Sequence, residues 1–177
     1  MTAVATQQPA TAVIDDAARQ LRRTLGCYPT GVTVVTTRAP DGRPVGLTVN
    51  SFASLSLEPP LLLWSLANRS PNLRAFRSAS HFAINVLAHG QHELAMRFAN
   101  PALPDKFEGV ALHEEAKEAA ALAPLIRGSL AWFVCAGRDA IETGDHTLFI
   151  GRIVQHAAQQ GTPLVFHAGA FARLEEA

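Results

Sequence analysis

Apolar and polar residues along this chain alternate in short runs more often than they recur at helical spacing. Val32-Thr-Val-Val-Thr-Thr37 is β-branched throughout, the composition of a strand. Ala39-Pro-Asp-Gly-Arg43 follows with turn chemistry. The next stretch puts Leu47 and Val49 on one face and Thr48 and Asn50 on the other, so these two segments are predicted to pair as an antiparallel hairpin. Beyond the double proline Pro59-Pro60, Leu61-Leu-Leu-Trp-Ser-Leu66 reads as a buried strand. Further strands are predicted over 81–87, 130–136, 140–142, 146–156 and 163–167, with turns at Thr143-Gly-Asp145 and Gln159-Gln-Gly-Thr162.

Helical spacing is confined to three places. Ile14, Ala17, Ala18, Leu21 and Leu25 predict a helix over 15–25 that Gly26 stops. Ser70 as N-cap and Pro71 at the first helical position predict a short helix carrying Leu73, Phe76 and Arg77. Residues 91–99 place Leu94, Ala95 and Phe98 on one face. Residues 100–123 are the least regular, and the Glu- and Ala-rich part reads as a solvated face. Residues 1–14, without the basic start and apolar core of a secretory signal, are expected to be a flexible lead-in to a single domain over 15–177. Many strands joined by hairpins, with few helices between them, predict a mainly β fold, an antiparallel barrel or sandwich.

Composition narrows the function. The chain has 177 residues, 48% of them apolar, with 15 basic and 15 acidic side chains. That balance gives no reason to expect nucleic acid or a membrane as partner. Cys27 and Cys135 match no metal or redox spacing, and are expected to be two buried free thiols in a reducing cytoplasm. The seven histidines are scattered, so no metal site is expected.

The candidate chemistry sits in Gly46-Leu-Thr-Val-Asn-Ser-Phe-Ala-Ser-Leu-Ser-Leu-Glu-Pro-Pro60, where Ser51, Ser54 and Ser56 add hydroxyls to a strand pattern. The stretch has two readings: serines that bond nearby backbone, or donors arranged around a flat polar ligand. No Gly-x-Gly-x-x-Gly, P-loop or nucleophile elbow accompanies it.

Tyr28-Pro-Thr-Gly-Val32, Thr48-Val-Asn-Ser-Phe52, Ser54-Leu-Ser56, Pro59-Pro60 and Gly144-Asp-His146, in that order, resemble the short-chain flavin reductase family from about Leu21 to Leu174. The resemblance implies an antiparallel split β-barrel of the FMN-binding type with a few short flanking helices. It implies a homodimer that binds FMN or FAD and takes hydride from NADH or NADPH, often for a separate monooxygenase component. A non-catalytic flavin- or haem-binding split-barrel protein would share the architecture. By the resemblance, Pro29, Thr30 and Gly31 would lie along the isoalloxazine ring, and Thr48, Val49, Asn50 and Ser51 would bond its edge and the ribityl chain. Ser54, Ser56, Asn68 and Ser70 would serve the ribityl and phosphate end, with Arg69 or Arg74 as charge partners. Phe98 falls where the family closes over the flavin, and His146 would orient the nicotinamide. The family's C-terminal Tyr, Gly and Arg are replaced here by Phe166-His-Ala-Gly-Ala-Phe171.

Overall fold

A computed structural model describes residues 10–114 and 116–174. The chain enters through helix α1 (Ala10–Leu25), and a short β1 (Thr30–Gly31) follows. α1 begins five residues before the predicted start at 15, inside the stretch read as a lead-in; residues 1–9 of that stretch lie outside the described residues. The β-branched run forms β2 (Thr33–Arg38) and pairs antiparallel with β3 (Pro44–Val49), Val34 opposite Thr48 and Val35 opposite Leu47. This is the predicted hairpin, and Gly42 in its turn has φ 81°, a conformation glycine adopts without steric cost.

The 46–60 stretch is two strands, not one. β3 ends at Val49, and β4 (Ala53–Leu57) starts after Asn50, Ser51 and Phe52. β4 turns through a cis Glu58–Pro59 bond into β5 (Pro60–Ala67). After the short helix α2 (Leu73–Ser78) come β6 (His81–Val86), α3 (His92–Ala99), α4 (Lys117–Leu122) and the long hairpin β7 (Ala131–Thr143) and β8 (His146–Ala158). The predicted strands 130–136 and 140–142 are thus one strand, with register shifts at Val134/Cys135 and Gly137/Asp139. β9 (Val165–His167) and β10 (Ala170–Ala172) join β1 in a small three-stranded sheet.

The main sheet runs β3-β2-β6-β7-β8-β5-β4, every pairing antiparallel. β3 and β4 sit at its opposite edges, yet only three residues join them, a reach of roughly 14 Å at full extension. The sheet therefore has to curl until its edges meet. Ser51 marks that seam: its Oγ accepts the Ser65 N–H at 3.0 Å and donates to the Ser65 carbonyl at 3.2 Å, linking the β3 end to β5. This is the split barrel that the resemblance implied.

Val45 and Val49 face the barrel interior with Leu62, Trp64, Phe76, Phe82 and Phe149, and Leu47 packs against the same cluster. Trp64 stacks on Phe149 at 4.7 Å and meets Phe76 edge-on at 4.9 Å, geometries that aromatic quadrupoles favour. Gly151 leaves room for this cluster, since a Cβ there would lie 2.5 Å from the Phe82 ring. The other face of β3 is covered by α3. A Cβ on Gly46 would come within 2.7 Å of Phe98, and the Thr48 hydroxyl donates to the Ala95 carbonyl at 2.6 Å.

Two local expectations change. α2 starts at Leu73, with Asn72 at its N-cap position, and Ser70 instead accepts the Asn72 N–H at 3.3 Å in a tight turn ahead of the helix. Cys135 is buried, as expected, whereas Cys27 is exposed in the turn after α1.

Candidate flavin site at the barrel seam

Where the end of β3 meets β5 and the tip of the β7–β8 hairpin, a cavity of about 470 Å³ opens. Thr48, Val49, Asn50 and Ser51 line one wall, Arg69 and Ser70 a second, and His146 a third. The seam thus gathers seven of the residues singled out from the sequence.

Some of these side chains arrive with part of their bonding capacity already used, and others do not. Thr48 spends its proton on α3, and Ser51 is bonded both ways to Ser65. Asn50 is exposed at the mouth and has no hydrogen-bond partner among the described residues. Ser70 accepts from Asn72, which leaves its O–H free to donate. Arg69 is exposed and bridged to no carboxylate among the described residues, although its charge helps hold Asp145 in the ionised form.

His146 reaches the cavity from the tight turn Thr143-Gly-Asp145. Gly144, with φ 59°, takes the first central position of this two-residue hairpin loop, where a type II′ turn calls for glycine. The His146 Nδ1 lies 2.7 Å from the Asp145 carboxylate. That hydrogen bond, with the charges of His146 and Arg69, keeps the Asp145 carboxyl below the usual range even though it is exposed. A polar chain fastens this turn to the barrel. The Asn68 N–H donates to the Asp145 carbonyl at 2.8 Å, and its Nδ2 donates to the Gly144 carbonyl at 3.3 Å. Its Oδ1 accepts the hydroxyl of fully buried Thr147 at 2.7 Å, and Arg77 reaches both Thr147 and Glu142.

Other predicted residues lie elsewhere. Asn68 is turned to the hairpin tip and does not line the cavity. Ser54 and Ser56 are on β4, beyond the seam, with Ser54 exposed. Arg74 is exposed on α2. Phe98 is completely buried between β3 and Phe107, with ring centroids 4.9 Å apart. Pro29, Thr30 and Gly31 run into the small sheet, where Thr30 pairs with Phe166, and Thr30 Oγ1 is buried with no hydrogen-bond partner. Sequence reasoning passed over Thr147, whose hydroxyl joins Arg77 to Asn68, because a threonine in a strand carries no signal beyond β propensity. Asn85 is held apart as structure: it is fully buried, donates to Val34 and Thr36, and accepts the Ile126 N–H at 2.8 Å. Among the described residues no three metal-binding side chains converge.

A mainly β split barrel with a hydroxyl- and amide-lined cavity at its seam defines a class of ligand-binding protein, and sequence comparison supplies the family. The chain belongs to the flavin reductase like domain family, whose pattern matches residues 25–175. It is 44% identical over 155 residues to the FMN reductase (NADH) SmoA of Agrobacterium fabrum, covering 88% of this chain and 85% of that one. It is 42% identical over 153 residues to the reductase component of a flavin-dependent trigonelline monooxygenase from Acinetobacter baylyi, covering 86% of this chain and 48% of that one. The chain spans about half the length of three of the curated relatives it matches. Among solved structures, the Streptomyces globisporus NADH:FAD oxidoreductase SgcE6, in complex with NAD and FAD fragments, superposes with a TM-score of 0.82 at 35% identity. That match covers 90% of this chain and 94% of that one.

Proposed function

We propose that this protein is an NADH-dependent flavin reductase that binds FMN or FAD at the barrel seam and hands reduced flavin to a separate monooxygenase component. One observation carries the reading: the cavity between β3, Arg69-Ser70 and His146 is lined by amide, hydroxyl and guanidinium groups whose capacity is not exhausted within the chain. The curated relatives supply the donor and the partner class, being named as NADH-dependent FMN or FAD reductases and as monooxygenase reductase components.

The residues fit such a group. Asn50 offers a two-sided amide to a ring edge, Ser70 a hydroxyl donor, and Arg69 a cation free to meet a phosphate. A flavin held here would supply the electron-accepting chemistry. The protein's share is position and electrostatics. Thr48 and Ser51 are fixed by bonds to Ala95 and Ser65, so the cavity wall is organised before a ligand arrives. Asp145 holds the His146 ring through Nδ1, leaving Nε2 as the atom that can face a nicotinamide. No side chain has to act as a nucleophile, which accounts for a site built of amides and hydroxyls.

The active form is a homodimer, and 15–177 works as one domain in the cytoplasm. The dimer reading is supported by exposed apolar residues on α1, the turn after it and β4: Leu21, Leu25, Tyr28, Leu55 and Leu57, the last 91% exposed. Two free cysteines suit a reducing compartment, and among the described residues no helix is long and apolar enough to cross a membrane.

Mixing the protein with FMN or FAD and NADH, and following the nicotinamide absorbance band, tests the reading. Continuous NADH consumption that requires flavin is expected. Flavin binding with no NADH consumption would mean a non-catalytic carrier.

A further inference from the structure

A second and larger cavity, about 670 Å³, shares no lining residue with the flavin pocket. It is an open groove between α3 and the loop carrying Leu103 and Val110, with Ile126 and Arg127 also in its lining. Its volume falls within the range of small-molecule sites. Leu94, Leu103 and Val110 bring apolar patches to a lining that is on balance more polar than apolar, and the backbone at Gly90 and Gly109 borders open space, with no heavy atom within 4 Å of where a Cβ would stand.

Two guanidinium groups enter this groove. Arg97 follows Glu93 by one helical turn, a spacing that favours an ion pair, yet no ion pair joins them. The Arg97 Nε is buried with no hydrogen-bond partner, a costly state for a charged donor unless something else completes it. Arg127 is also without a carboxylate partner among the described residues. Its backbone is pinned on both sides, with the N–H donating to Ala111 at 2.9 Å and the carbonyl accepting from Gln91 at 3.0 Å. Glu93 in the same wall leaves the site one net positive charge, which suits a single carboxylate better than a dianionic phosphate.

We propose that this groove binds a small organic monocarboxylate with a compact apolar body. Arg97 and Arg127 take the carboxylate, and Leu94, Leu103 and Val110 cover the body. Guanidinium forks match a carboxylate's planar geometry. The site is separate from the flavin chemistry and does not depend on it.

Isothermal titration of the full chain with benzoate, benzyl alcohol and phenyl phosphate tests this. Benzoate is expected to bind once per chain, about tenfold or more tighter than benzyl alcohol and tighter than phenyl phosphate, with unchanged affinity when FMN is saturating. Arg97→Gln should weaken benzoate binding by about tenfold and leave the FMN titration unchanged. Ala111→Phe, from an exposed position in the groove wall, should do the same by filling the space with the charges intact. Benzoate binding no tighter than benzyl alcohol, or wild-type benzoate affinity in both variants, would overturn the proposal. So would phenyl phosphate binding as tightly as benzoate, or displacement of benzoate by FMN, which would put the anion in the flavin pocket.

Discussion

Ser51 and Ser54 look alike in the sequence and do different things in the fold. The Ser51 hydroxyl is bonded in both directions to Ser65 across the barrel seam, while Ser54 is exposed on β4. Ser51→Ala should therefore cost about 1–2 kcal/mol of stability and weaken FMN binding, whereas Ser54→Ala should leave both unchanged; denaturant unfolding and flavin titration measure the two effects. A hydroxyl run is visible in a sequence, but the partner each O–H finds is set by contacts far along the chain, so the two candidate readings could be separated only in the folded molecule. The cysteines divide in the same way. Burial pushes the Cys135 thiol from its ordinary 9.0 up to about 12, and Cys27 is exposed. One thiol per native chain should react with a maleimide at neutral pH, and the second only after unfolding. Because the folded state holds the Cys135 proton more tightly, its stabilising contribution is complete below pH 9.0 and is lost as pH rises toward about 12. Alkaline unfolding between those limits should be shallower in Cys135→Ala than in the wild type.

At the scale of elements, the β2–β3 hairpin could be read directly because its turn residues and alternating faces act locally. The break between β3 and β4 could not: the period-two pattern runs on across it, and only the long-range pairing of β5 with β8 shows that the chain has crossed the seam. Gly46 belongs to the same lesson, since its reason is the Phe98 ring lying on it. Gly46→Val should destabilise the protein by about 1–3 kcal/mol through overpacking, seen as a lowered denaturant midpoint. The hairpin tip that carries His146 is fastened by Asn68 and Thr147. Asn68→Ala should raise the KM for NADH and slow flavin reduction while FMN affinity changes little, a split that stopped-flow reduction and flavin titration resolve. The depressed Asp145 carboxyl bears on the same tip. Its ionised form is the one the fold favours, so its contribution is present above the ordinary carboxylate range and is lost only as pH falls through the lowered value.

For the molecule as a whole, fold class and family were legible because they rest on ordered motifs spread over nearly the whole chain. The convergence of the candidate residues on one cavity was legible in part. Thr48 to Ser51, Arg69, Ser70 and His146 converge, whereas Phe98 proves to be core and Asn68 a brace. Distinguishing these roles needs the curvature of the sheet, which no local pattern encodes. The exposed apolar residues of α1 and β4 predict association: sedimentation velocity should show a dimer, and Leu57→Lys together with Leu25→Lys should shift it toward monomer.

The most direct test of the central claim is a single substitution that closes the seam cavity. Asn50 is exposed at its mouth, so Asn50→Trp can fill the space without disturbing the core. FMN titration followed by NADH oxidation, on a variant whose unfolding midpoint matches the wild type, should show flavin affinity and turnover lost together. Undiminished FMN binding and NADH oxidation in that variant would contradict the assignment of the flavin to the barrel seam.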